Sequence, residues 1–161
     1  MLYSYEKLQA FEVRMSTLIT EAHQGQRYGD RSYTYHLRMV RNKVLELFEE
    51  SKGLTPIYKD LQLSTAALGH DLFEDTYVTR ELLLAEGYHE DIVHAIDLVT
   101  KREGVSYKEY LRTLSKDEIA WKVKVADTYA NLTESIKDLD IKRSRKYSTQ
   151  IELLMKYKDW E

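Results

Sequence analysis

The sequence predicts an all-α domain of about seven or eight helices. Apolar residues recur three to four positions apart along most of the chain, which is the spacing of one face of a helix. One proline and six glycines leave few positions for tight turns between strands. A chain of 161 residues can bury its own core, so we expect residues 1–161 to form a single domain.

The individual helices follow from apolar stripes and from start and stop signals. Ser106 with Glu109, and Ser115 with Glu118, fit the capping box that opens a helix. In chain order we expect a helix at about 3–23, a polar loop at 25–33, a helix at 36–50, a connector at 51–60, and helices at about 61–73, 79–87, 89–101, from Ser106, at 116–135 and at 144–160.

Composition excludes several classes of protein. The net charge of −3 offers no broad attraction for nucleic acid, so an anionic substrate needs a local group of Lys and Arg. No apolar run approaches the roughly 18 residues that span a bilayer. There are no cysteines and no secretory signal at the start of the sequence. We therefore expect a cytoplasmic protein with no membrane or nucleic-acid partner.

The segment Gly69–Thr76 contains one histidine and three acids within a predicted buried helix. On a helix, Asp71 and Asp75 would share one face, and His70 and Glu74 the adjoining face. Carboxylates are rarely buried without a partner, and His and Asp are suitable ligands for a first-row metal. The segment therefore predicts a metal site.

Two further residues are candidate companions of His70 and Asp71. His36 lies at the start of the second predicted helix, and Asp127 lies in an otherwise apolar turn of the long helix. Each is weak evidence alone. Together they give the order His, His-Asp, Asp, spread over three helices.

This order and its local contexts resemble the HD phosphohydrolase superfamily. The resemblance is closest to the hydrolase domain of RelA/SpoT-type enzymes and to small stand-alone alarmone hydrolases such as the metazoan SpoT homologues. It covers about residues 17–135 and rests on four segments: Ala22-His23-Gln24-Gly25-Gln26-Arg27 followed by Tyr33 and His36; His70-Asp71-Leu72-Phe73-Glu74-Asp75-Thr76; Val99-Thr100-Lys101; and Lys124-Val125-Ala126-Asp127 with Asn131.

The resemblance implies that one divalent cation, most often Mn²⁺, is held by four residues: His36, His70, Asp71 and Asp127. Two imidazoles and two carboxylates suit such an ion and leave positions open for water and a phosphate oxygen. By the same resemblance, Glu74 and Asp75 would orient or deprotonate the attacking water.

The family's substrate is a guanosine with a 5′-diphosphate or triphosphate and a 3′-diphosphate, and the reaction releases pyrophosphate from the 3′ position. The resemblance places substrate contacts at Arg27, Lys124 and Asn131, and Lys101 and Tyr28 are further candidate contacts. Tyr28 stands where a second basic residue is common. It offers an aromatic face instead, which would tolerate adenine as well as guanine.

Alternatives stay open at this stage. The site could act on another nucleotide phosphate, such as (p)ppApp, the 2′-phosphate of NADPH or a nucleoside monophosphate, or the protein could bind alarmones without turnover. A homodimer is possible. Residues 142–146 read as a solvated basic face, and His23 as a residue that orders its loop.

Overall fold

A computed structural model describes residues 4–51 and 57–160, and the all-α prediction is confirmed. Within these residues the helices are α1 (Tyr5–Ala22), α2 (Tyr33–Phe48), α3 (Tyr58–Leu68), α4 (Leu72–Asp75), α5 (Arg80–Ala85), α6 (Glu90–Val99), α7 (Tyr107–Leu114), α8 (Glu118–Lys137) and α9 (Ile141–Tyr157). One of the nine, α4, is a single turn. No helix in the described part of the chain is long and apolar enough to cross a bilayer.

The centre of the bundle is α3. Every residue from Asp60 to Leu68 is buried, because α1, α2, α6 and α8 all pack around this helix. Small and apolar residues on all sides suit a helix with no solvent face. The buried Asp60 carboxylate accepts hydrogen bonds from the backbone N–H groups of Glu50, Ser51 and Ile57, which stabilises the charge that burial would otherwise penalise.

The predicted helix at 61–73 is wrong in one respect, since it does not run through the His-Asp motif. Helix α3 ends at Leu68, and α4 starts at Leu72. A Cβ on Gly69 would lie 2.9 Å from Cδ1 of Ile96 and 3.0 Å from Sδ of Met15, so only glycine fits here without displacing core atoms. The His-Asp pair therefore lies in a turn between two helices.

Other boundaries also differ from the sequence-based expectation. The predicted loop at 25–33 contains a short antiparallel hairpin, β1 (Arg27–Tyr28) and β2 (Arg31–Ser32), and α2 starts at Tyr33. Part of the predicted connector, residues 52–56, lies outside the described residues.

The two predicted capping boxes have different outcomes. Ser106 caps α7 as expected, because its hydroxyl accepts from the backbone N–H of Glu109. Ser115 does not open α8, since Asp117 caps that helix through the N–H of Ala120. Helix α9 also begins earlier than predicted, at Ile141, because Asp140 caps it.

Candidate metal centre and adjoining cleft

Three parts of the bundle bring two histidines and two aspartates together. His36 lies in the first turn of α2, Asp127 lies in the middle of α8, and His70 and Asp71 lie in the turn after α3. Both histidines are almost fully buried. Because α2 and α8 both pack against α3, the four side chains meet inside the bundle.

The ligand atoms converge on one point. His36 Nε2 lies 3.2 Å from Asp127 Oδ1 and 3.9 Å from Asp71 Oδ2. His70 Nε2 lies 3.1 Å from Asp71 Oδ2 and 3.7 Å from Asp127 Oδ1. Groups at such separations surround a volume the size of a cation, and His36, His70 and Asp71 form a group that could hold a metal ion.

The hydrogen bonding of His70 fits a metal ligand. Its Nδ1 lies 2.7 Å from the carbonyl oxygen of Ala67, which can only accept, so Nδ1 carries the proton. In the neutral ring, Nε2 then presents a lone pair toward the two carboxylates. This buried atom has no hydrogen-bond partner among the described residues. A cation between the lone pair and the carboxylates would satisfy all three groups.

The electrostatics of the cluster also favour positive charge. Burial opposes charge on His70, but the Asp71 and Asp127 carboxylates outweigh it and raise the pKa of His70 well above its ordinary value. Burial likewise opposes charge on Asp71, yet His70 lowers the pKa of Asp71 to about 2. In the absence of metal, the two carboxylates therefore draw a proton onto the histidine.

The orientation of Asp127 is fixed from both sides. Lys124 Nζ donates to Oδ2 at 2.8 Å, and Asn131 Nδ2 donates to Oδ1 at 2.8 Å. Burial opposes charge on Asp127, but Lys124 holds the pKa of this carboxyl well below its ordinary value. The i−3 and i+4 spacing on α8 places both partners on the same side of the helix as Asp127.

Glu74 and Asp75 lie in α4, one turn beyond the cluster, and both side chains reach solvent. Partial burial and then the nearby Asp71 carboxylate raise the pKa of Glu74. The carboxylate of Asp75 contacts the Tyr33 hydroxyl at 3.2 Å, and the same hydroxyl donates to Asp71 Oδ2 at 2.8 Å. One phenol thus links a candidate ligand with a candidate catalytic acid.

The backbone of Asp75 is tied to the hairpin loop. Gln26 Nε2 donates to the carbonyl oxygen of Asp75 at 2.8 Å, and Gln26 Oε1 accepts from His23 Nδ1 at 2.7 Å. His23 is buried and its ring stacks on Tyr33 at a centroid distance of 4.9 Å. This agrees with the expectation that His23 orders its loop.

A cleft of about 800 Å³ opens beside the cluster, and Asp127 belongs to both. Its walls include three of the predicted substrate contacts, Lys101, Lys124 and Asn131, together with Glu74. The opposite wall comes from α9 and carries Lys142, Arg145, Lys146, Tyr147, Thr149, Gln150 and Leu153. Tyr107 and Tyr110 of α7 complete the lining.

The basic wall of the cleft is the feature that the sequence analysis missed. The sequence predicts a solvated face at residues 142–146, but Lys142, Arg145 and Lys146 line the cleft. The available signal was their spacing, since positions 142, 145 and 146 share one face of a helix.

Two predicted substrate contacts, Arg27 and Tyr28, lie in the hairpin and do not line this cleft. The Arg27 guanidinium donates to the carbonyl oxygen of Asp30. The Tyr28 ring stacks on His36, and its hydroxyl donates to Asn131. Substrate contact by these two residues stays a prediction, but both side chains are engaged with protein atoms.

The fold of this chain is similar to that of a protein of known structure. No protein-family model matches the chain, and no curated protein matches it. Among solved structures, the chain is similar to a metazoan orthologue of SpoT that hydrolyses ppGpp and plays a role in starvation responses. The TM-score is 0.70 at 20% sequence identity, and the match covers 98% of this chain and 88% of the other. The likeness shows that this chain has the fold of that hydrolase.

Proposed function

We propose that the protein is a metal-dependent phosphohydrolase that removes the 3′-pyrophosphate of guanosine alarmones, converting (p)ppGpp and water to GDP or GTP and pyrophosphate. The observation that carries the proposal is the convergence of His36, His70, Asp71 and Asp127 at one end of a cleft whose far wall is cationic. The shared fold with a ppGpp-hydrolysing SpoT orthologue supports the same reading.

The four converging residues hold one divalent ion, and a set of nitrogen and oxygen ligands without sulfur suits a hard or borderline ion rather than a soft one. We propose Mn²⁺. The bound ion would lower the pKa of a coordinated water and polarise the phosphorus. Lys124 and Asn131 would keep the Asp127 carboxylate turned toward it.

The reaction breaks the bond between the ribose 3′ oxygen and phosphorus. Water supplies a hydroxyl group to the departing pyrophosphate and a proton to the 3′ oxygen. Glu74 is suited to proton transfer because its raised pKa brings it nearer to neutral pH. Asp75, in contact with the Tyr33 hydroxyl, would orient the water.

The cleft offers complementary groups for the rest of a nucleotide. Lys101 lies near Glu74 at the metal end, while Lys142, Arg145 and Lys146 lie on α9. A substrate with phosphates at both ends would place one group at the metal and the other against α9. Tyr107 and Tyr147 offer aromatic surface for the base.

Purified protein should convert ppGpp to GDP and pyrophosphate when Mn²⁺ is added, as followed by anion-exchange chromatography. The double variant His70→Ala/Asp71→Ala should lose this activity while retaining its helical circular-dichroism spectrum. Absence of turnover by the wild-type protein with Mn²⁺, or equal turnover by the double variant, would contradict the proposal.

A second candidate is hydrolysis of another nucleotide phosphate: (p)ppApp, the 2′-phosphate of NADPH or a nucleoside monophosphate. The engagement of Arg27 and Tyr28 with protein atoms favours it, because the hairpin then contributes no selective contact for guanine. A side-by-side panel of these substrates and ppGpp decides between the two candidate functions, since the alarmone proposal requires the highest kcat/KM for ppGpp.

Cytoplasmic location and a homodimer remain predictions.

A further inference from the structure

The Tyr28 side chain belongs to a closed circuit of contacts around the candidate metal centre. Its ring lies parallel to that of His36, with centroids 4.6 Å apart and planes inclined by 16°. Its hydroxyl lies 2.9 Å from Asn131 Oδ1, and Asn131 Nδ2 lies 2.8 Å from Asp127 Oδ1. The circuit closes at Asp127 Oδ1, which lies 3.2 Å from His36 Nε2.

The direction of each hydrogen bond in this circuit is determined by chemistry. An ionised carboxylate only accepts, so Asn131 must turn its amide nitrogen toward Asp127. The amide oxygen of Asn131 then faces Tyr28, and the phenol must donate to it. Tyr28 thereby helps to keep Asn131 from rotating its amide oxygen toward the Asp127 carboxylate, where two acceptors would repel each other. The Asp127 backbone carbonyl, which accepts from Asn131 Nδ2 at 3.0 Å, favours the same orientation.

Tyr28 also covers one face of the His36 ring. The Tyr28 ring stacks on His36 from the hairpin, and Tyr28 is not among the residues that line the cleft. His36 is 2% exposed. Tyr28 therefore contacts one candidate ligand directly and a second, Asp127, through Asn131.

We infer that Tyr28 is a positioning residue that holds His36 and Asp127 in the orientation for metal binding. The inference rests on the proposed metal centre, but not on the identity of the nucleotide. It assigns Tyr28 a role different from the base contact that the sequence suggested.

The test is calorimetric titration of Mn²⁺ into metal-free protein. Tyr28→Phe keeps the ring on His36 and removes only the hydroxyl, and it should bind Mn²⁺ more weakly by up to about tenfold, the lower end of the effect of losing a direct partner of a metal ligand, because Asn131 loses its donor. Tyr28→Leu removes the ring as well and should bind more weakly still. Tyr35→Phe removes a hydroxyl from a nearby position in α2 and should bind like wild type.

Thermal melting of the metal-free proteins separates positioning from folding. The inference requires Tyr28→Phe to melt close to wild type while its Mn²⁺ affinity falls. Wild-type Mn²⁺ affinity in Tyr28→Phe, or an equal loss in Tyr35→Phe, would overturn it, as would a wild-type protein that does not bind Mn²⁺. Tight Mn²⁺ binding that depends on Tyr28, without ppGpp turnover, would uphold the inference and reject the proposed function.

Discussion

The hydroxyl of Tyr33 donates a 2.8 Å hydrogen bond to Asp71 Oδ2 and lies 3.2 Å from Asp75 Oδ2. A phenol has one proton, so it can donate to only one of the two carboxylates at a time. Tyr33 thereby couples the position of a candidate ligand to that of a candidate catalytic group.

Replacing Tyr33 with Phe should lower kcat by about 10- to 100-fold, the usual effect of losing a hydrogen-bond partner of a metal ligand. The fold should persist because the Phe ring can still stack on His23. Steady-state kinetics with ppGpp and Mn²⁺ measure the effect. Tyr129→Phe, on the exposed side of α8, is the control, and equal kcat in the two variants would contradict a role for the Tyr33 hydroxyl.

Metal binding should release protons. In the metal-free protein the Asp71 and Asp127 carboxylates raise the pKa of His70 well above its ordinary value, which favours the protonated ring, whereas coordination requires its lone pair. Mn²⁺ affinity should consequently weaken as pH falls. Calorimetry in buffers of different ionisation enthalpy gives the number of protons released. A count of zero at pH 7 would show that metal binding does not remove a proton from His70.

The Gln26→Met substitution removes the bond to the Asp75 carbonyl and leaves buried His23 Nδ1 without its acceptor. We expect a stability loss of about 1–3 kcal/mol, the cost of an unsatisfied buried donor, and a lower kcat because Asp75 loses its tie to the loop. Urea denaturation and kinetics measure these. Gln24→Met, exposed in the same loop, should change neither.

The Gly69→Ala substitution should destabilise the protein by about 1–3 kcal/mol, because the new methyl group overpacks the core. Ile96→Val removes Cδ1, the atom nearest to the added Cβ. The double variant should therefore lose less stability than the sum of the single changes, as measured by urea denaturation. If the stability losses of the two single variants simply added, the contact with Ile96 Cδ1 would not be the reason for glycine at position 69.

Removing the Arg145 guanidinium with Arg145→Ala should raise KM about tenfold, the scale of one lost charged hydrogen bond. The value of kcat should change little, because α9 lies on the far wall from the metal centre. Lys156→Ala, on the same helix but outside the cleft lining, should leave both constants unchanged. An unaltered KM for Arg145→Ala would contradict the proposal that Arg145 on α9 contacts the substrate.

Apolar periodicity was sufficient to predict the helical class, and the resemblance carried by the order His, His-Asp, Asp implied that His36, His70, Asp71 and Asp127 meet. The sequence was insufficient at Gly69, where the helix ends because Met15 and Ile96 come close in the folded core. Such a contact between distant parts of the chain leaves no local pattern.

The two sides of the cleft were also beyond local sequence reasoning. The sequence predicts a solvated face for the α9 cations because only the packing of α9 against α7 and α8 places them in the wall of the cleft. Tyr28 reads as a free aromatic face because its stacking on His36 depends on the geometry of the hairpin. In both cases tertiary contact decides the role of the side chain.

The cationic wall on α9 bears on when the site becomes complete during synthesis on the ribosome. A nascent chain that has emerged only through α8 carries all four candidate ligands, but it lacks the helix that forms the far side of the cleft. It also lacks Leu154, which is fully buried and whose carbonyl accepts from the Trp121 indole. Competence to hold a nucleotide should accordingly appear only after α9 has emerged, together with closure of the core.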